Sequence, residues 1–231
     1  MNDLRKNIEL IRKRIEKACF SCGRPVSEVA LLLATKTIDA HTILKAFQLN
    51  ALLIGENRVQ EIVEKHDLLS QVPHTTHLIG PLQSNKITKV IDKVQCIESI
   101  DNFELAKKIN NKLLLKNANL NILIEVNTSG EKTKHGCTPD EVINLVMDIS
   151  QLKYLHIKGL MTIGTLTDDK TEIRRCFKLL KSISQKIENE HFEGVAMDIL
   201  SMGMSDDFEI AIEEGATEVR IGSSIFGKRT I

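Results

Sequence analysis

The chain has 231 residues, 42% of them hydrophobic and 27% charged, with 31 Lys plus Arg balanced by 31 Asp plus Glu. That length suits one (β/α)8 barrel or two small domains, and it is enough to bury a full core. A net charge of zero argues against nucleic acid as the partner, so any anion held here is expected to be small and locally bound.

The N-terminus, MNDLRKNIELIRKRIEK, alternates charged and apolar residues and has no apolar signal-peptide core. Leu4, Ile8, Ile11 and Ile15 fall on one face of a helix predicted over 2–19, and Cys22-Gly23-Arg24-Pro25 ends it. No run approaches the roughly 18 apolar residues of a membrane span. Five Cys, an odd number with no export signal, read as reduced thiols of a cytoplasmic protein.

Eight apolar strands are then predicted, at 31–36, 52–57, 77–80, 96–100, 121–127, 155–163, 195–201 and 217–222. Several are nearly continuous apolar runs (LLLATK, ALLIGEN, NILIEVN), as in parallel strands covered on both faces. Helices alternate with them. Ile43, Leu44 and Phe47 make one apolar face, Val59, Ile62 and Val63 another, and 102–116, 139–151, 168–188 and 205–214 also read as helical. Eightfold alternation with no Pro-, Gly- or Ser-rich linker implies one domain over 1–231, a closed TIM-type (β/α)8 barrel. The segment after the last strand, SSIFGKRTI, is too short for a normal eighth helix, so the extra N-terminal helix is expected to cover the gap.

In such a barrel the chemistry sits where the strands end. Lys36 closes the first strand. Desolvation at an apolar mouth favours its neutral amine, the form that makes an imine; the ordinary alternative is a lysine reaching solvent or pairing with a carboxylate. Ser201-Met202-Gly203-Met204-Ser205 and Arg220-Ile221-Gly222-Ser223-Ser224 follow strands seven and eight, the usual phosphate seat of this fold, and Ser205 is a candidate helix cap. Either could be an ordinary βα turn. The CxxC at Cys19–Cys22 closes a helix and has no second ligand pair, so buried thiols are the default. His74 and His77 have HxxH spacing in a loop-to-strand segment, where His77 reads better as a hydrogen-bonding wall residue than as a metal ligand.

Taken together, these segments resemble the pyridoxal phosphate homeostasis protein family, single-domain relatives of the alanine racemase barrel. The resemblance runs over nearly the whole chain. It is carried by Ala34-Thr35-Lys36-Thr37, Ile54-Gly55-Glu56-Asn57-Arg58-Val59-Gln60-Glu61 and His77-Leu78-Ile79-Gly80-Pro81-Leu82-Gln83-Ser84-Asn85-Lys86. Lys134-His135-Gly136, Leu200-Ser201-Met202-Gly203-Met204-Ser205-Asp206-Asp207 and Val219-Arg220-Ile221-Gly222-Ser223-Ser224 extend it. Family members often have Tyr where Arg58 stands and Trp where Thr76 stands, which bears on the pocket wall alone.

The resemblance implies that Lys36 carries pyridoxal 5′-phosphate as an imine, with Asn57 beside the cofactor. Ser201, Gly222 and Ser223 look like phosphate ligands, and Arg220 looks like the partner of the pyridine nitrogen. It also implies a carrier that buffers the cofactor in vitamin B6 homeostasis and delivers it to apo-enzymes. Alanine racemases add a C-terminal domain whose Tyr acts across the ring; here nine residues follow Gly222, and the only tyrosine, Tyr154, precedes strand six. Racemisation needs an acid/base group on each face. The expectation is therefore a monomer that is not an enzyme, with a weak amino-acid racemase as the main alternative and a lysine-dependent aldolase of sugar phosphates as a third reading. Lys134, on the same rim, offers a second, looser cofactor site, against the ordinary reading of a solvated charge.

Overall fold

A computed structural model describes residues 2–227; the predicted tail from position 228 onward lies outside them. Eight parallel strands close into one barrel in sequence order, with the last paired to the first. They are β1 (Ala30–Ala34), β2 (Leu53–Glu56), β3 (Thr75–Leu78), β4 (Cys96–Ile100), β5 (Leu120–Glu125), β6 (Leu155–Met161), β7 (Val195–Ser201) and β8 (Glu218–Ile221). Around them stand α1 (Asn2–Ser21), α2 (Ala40–Phe47), α3 (Val59–Leu69), α4 (Ile87–Val90), α5 (Phe103–Lys116), α6 (Val142–Ser150), α7 (Lys170–Glu190), α8 (Phe208–Glu213) and α9 (Ser223–Phe226). The closed (β/α)8 architecture expected from the alternation is the one observed.

Alternation along each strand divides two environments. Leu33, Ile54, Leu78, Ile97, Ile122, Leu160, Leu200 and Val219 are buried in the shell between strands and helices. A separate small cluster of Cys96, Leu123 and Met161, with Ile199, packs inside the barrel. Helices α2, α5 and α7 start where the sequence supplies an acceptor for a free N–H. Asp39 takes Thr42 N at 3.0 Å, Asn102 takes Leu105 N at 2.9 Å, and Asp169 takes Thr171 N at 2.8 Å.

Helix α1 packs on α8 and α9, as the short last helix required. Asn7 Nδ2 donates to Ile225 O at 2.8 Å, Arg14 pairs with Glu209 at 2.7 Å, and the Arg14 guanidinium lies over the Phe208 ring. Three local readings change. β3 begins at Thr75, before the predicted 77, because Thr75 to Leu78 pair residue by residue with Leu53 to Glu56. The short α4 carries no predicted counterpart. Val63 is exposed, and Leu69 takes its place in the buried face of α3. No helix among the described residues is long and apolar enough to cross a membrane.

Candidate functional site

Strand β1 stops at Ala34, two residues short of Lys36. Thr35 N still donates to Gly55 O at 2.9 Å, and then Lys36 and Thr37 turn away. Thr37 adopts φ 66, a strained conformation for a β-branched residue, so something must hold it. The holder is a charged cluster from β2 and α3. Lys65 Nζ donates to Thr35 O at 3.1 Å, to Glu56 Oε1 at 2.8 Å and to Glu61 Oε2 at 2.9 Å. Thr37 N donates to the same Glu61 oxygen at 2.6 Å, and the Thr35 hydroxyl donates to Glu56 Oε1 at 2.7 Å. The backbone is thus anchored on both sides of Lys36, which is itself half-buried. Burial pushes the Glu56 carboxyl up, against the opposing pull of Lys65 and Thr35, and its Oε2 has no hydrogen-bond partner.

Register places the other expected residues around this turn. Ala34 pairs with Gly55, so Lys36 and Asn57 each lie two residues beyond a matched pair. Leu33 pairs with Ile221, so the Lys36 turn and Gly222-Ser223 leave neighbouring strands on one rim. The Gly222 side of that rim is joined to the β7 turn, where the Ser205 hydroxyl accepts from Ser224 N at 3.3 Å. Ser205 therefore bridges two turns instead of capping a helix. α8 starts later because Asp207 closes a tight turn by accepting from Met204 N at 2.6 Å. Gly203 has φ 93, and a Cβ there would lie 2.6 Å from Ala211 Cβ, so this turn admits only glycine.

Beneath the rim the barrel interior is ionic. β3 and β4 stand across the ring from β7 and β8, so bonds between those pairs pass through the interior. His77 Nδ1 lies 2.6 Å from Glu98 Oε1. Ser201 Oγ lies 2.6 Å from Glu98 Oε2 and 2.9 Å from Glu218 Oε1, and accepts from Arg220 Nη1 at 2.7 Å. Arg220 Nη2 donates to Thr162 O at 2.7 Å. Burial raises Glu218 well above the ordinary carboxyl range, helped by the charge of Glu98. Burial works the same way on Glu98, but His77 and Arg220 outweigh it and hold that carboxyl low. Glu218 is thus the member of the pair that takes a proton more readily. The structure joins the Ser201 hydroxyl to Arg220 and to both carboxylates, Glu98 and Glu218.

His77 is a hydrogen-bonded wall residue, as expected. His74 stacks on Phe47 instead, outside the barrel, so the HxxH spacing brings no pair together. All five cysteines are free. Lys134 Nζ is taken by Glu131 at 2.6 Å and by Gly164 O at 2.7 Å. Tyr154 directly precedes β6, at the far end of the barrel from the Lys36 turn. Sequence reasoning missed Glu98, Glu218 and Lys65; a charged residue inside a strand covered on both faces was the available signal for the first two.

The family described as "Alanine racemase, N-terminal domain" matches residues 1–230. A pyridoxal phosphate homeostasis protein of Aquifex aeolicus is 38% identical over 224 residues, covering 97% of each chain. This chain belongs to the pyridoxal phosphate homeostasis protein family. A crystal structure of an unknown protein from Bifidobacterium adolescentis superposes with a TM-score of 0.94 at 38% identity, over 97% of this chain and 95% of that one. PipY of Synechococcus elongatus, determined with PLP bound, gives a TM-score of 0.81 at 29% identity, over 94% of this family member and 100% of PipY.

Proposed function

We propose that this protein binds pyridoxal 5′-phosphate at the rim formed by β1, β2, β7 and β8, and serves vitamin B6 homeostasis by buffering the cofactor. The observation that supports this is the register of β1 with β8, by which the Lys36 turn and the Gly222-Ser223 turn leave neighbouring strands at the same end of the barrel. The donor set suits the group. The amides of Gly222 and Ser223 make no hydrogen bond to another described residue, and with the Ser223 hydroxyl they offer donors to a phosphate. Arg220 has two of its five N–H groups committed, which leaves donors for a ring nitrogen. Asn57 borders the same space. In this reading Ser201 acts through Arg220, fixing its orientation, and does not itself meet the phosphate.

The bound group would supply an aldehyde that condenses with an amine, and a phosphate that docks it. This chain supplies the rest. Lys65 and Glu61 hold the Lys36 backbone so that its amine needs little reordering, and the permanently charged Arg220 opposes protonation of a ring nitrogen. That weakens electron withdrawal and fits holding better than turnover. The only tyrosine lies at the opposite end of the barrel, which favours a carrier over a two-base racemase. We read the protein as a cytoplasmic monomer that hands its cofactor to apo-enzymes. Borohydride reduction of the purified protein followed by peptide mapping should place the label on Lys36. Label on another lysine would sink the site, and amino-acid racemisation that disappears in Lys36→Ala would replace the carrier with an enzyme.

A further inference from the structure

Across the ring from β1, a cleft of about 420 Å3 opens above β3, β4 and β5. Its walls are the Pro81–Ser84 turn and the segment from Asp101 to Leu105, and its floor is Glu125. Glu125 lies on the same side of β5 as the interior residue Leu123 and is 3% exposed. Its carboxylate lines the cleft and makes no hydrogen bond to another described residue.

A carboxylate this little exposed, with no side-chain partner, is costly to keep ionised, and it either takes a proton or receives a cation. The groups around it do not supply one at contact distance. Asp101 and Glu104 add negative charge, and Glu98 adds more from below. Against them stand Lys108, 3.5 Å from Ser84 Oγ, then His135, and Arg220 from the barrel interior. Asp101 Oδ1 is steadied by Asn102 Nδ2 at 2.7 Å.

We propose that this cleft binds a small primary-ammonium compound, with Glu125 and Asp101 accepting its N–H donors. An ammonium carries three donors on one compact charge, which matches two converging carboxylates. A divalent ion fits worse, since it demands six or more oxygens and would face the Lys108 ammonium. None of the residues proposed to hold the cofactor lines this cleft, and the proposal does not rest on the cofactor reading.

Burial first, and the Asp101 charge second, push Glu125 up to about 7. The ligand needs the ionised form, so affinity rises as pH climbs through that value. About tenfold weaker binding at pH 6 than at pH 8 follows from the ionised fraction.

The test is a titration of 1,4-diaminobutane into 15N-labelled protein, both wild type and Lys36→Ala, where no covalent capture at position 36 competes. The diamine stays doubly charged across this range, so pH dependence reports the protein. Saturable amide shifts confined to residues 99–105 and 125 in both proteins, about tenfold weaker at pH 6, are expected. Glu125→Gln should weaken binding at least about tenfold at pH 8 and remove its pH dependence. If that variant loses its folded spectrum, Asp101→Asn should still weaken binding at pH 8 and shift the midpoint of its pH dependence downward, because one charge raising Glu125 is gone. Equal affinity in Glu125→Gln, shifts produced alike by 1,4-butanediol, or shifts produced by Ca2+ and not by the diamine would each overturn the proposal. Loss of shifts in Lys36→Ala alone would do the same, while leaving the cofactor site standing.

Discussion

Replacing Lys65 by Met tests whether the charged cluster behind β1 holds the Lys36 turn. Lys65 is 11% exposed and Glu56 1% exposed, so their ion pair is a buried one. Removing one partner of such a pair costs about 3–5 kcal/mol, because the other charge is left uncompensated. Glu56 can escape part of that cost by taking a proton. Burial already raises its carboxyl above the unfolded value, and losing Lys65 raises it further. An acid raised on folding destabilises the fold as pH climbs from the unfolded value through the folded one. At lower pH Glu56 can take up a proton, and the residual cost is the hydrogen bonds to Thr35 O and Glu61, about 2 kcal/mol together. At pH 8 the full penalty applies. For a chain of this length each kcal/mol moves the melting temperature by about 2–4 °C. Lys65→Met should therefore lose about 6–20 °C at pH 8 but only about 4–8 °C at pH 5. Thermal melts at both pH values, with Glu56→Gln/Lys65→Met as the control that removes the pH dependence, make the assay. An equal loss at the two pH values would show that Glu56 is not waiting on this lysine.

Gly159→Ala should cost about 4 kcal/mol or more, since φ is 154 and a Cβ there would fall 1.8 Å from Ile199 O; an unchanged melting temperature would contradict the β6–β7 register. Ser201→Ala removes the hydroxyl shared by Glu98, Glu218 and Arg220 and should lower stability by about 1–3 kcal/mol, with a neutral result in thermal melts counting against its role as a hub. Asp101→Asn should bring Glu125 down from about 7, because one of the charges raising it is gone, and carboxyl NMR titration would expose a midpoint that fails to move.

The ring of strands could be read in advance because each strand is covered on both faces and so spells a continuous apolar run, LLLA in β1 and ILIE in β5. The N-terminal helix was visible for a different reason: Ile8, Ile11 and Ile15 keep helical spacing, and all three are buried. The rim residues were legible too, since Lys36, Asn57 and Gly222 sit at the ends of those runs. The interior was not. Glu98 lies within β4 and Glu218 opens β8, and a lone carboxylate among apolar residues does not reveal that Glu98 meets His77 on the neighbouring strand and Ser201 across the ring. Lys65 was hidden more completely. It belongs to an ordinary helix, where Glu61 is its i,i+4 neighbour, and its other partners Thr35 and Glu56 meet it only through the fold of β1 and β2.

The pairing of Ala30–Leu33 with Glu218–Ile221 makes the earliest strand of the chain wait for the last. During synthesis β1 can take up β2 on one side, while its other edge stays open until β8 has left the ribosome. Helix α1 meets the same delay, because the surfaces of α8 and α9 that it packs on are made just before and just after β8. Both segments therefore spend most of translation as exposed, association-prone surface, and a nascent-chain chaperone would find its most persistent grip there.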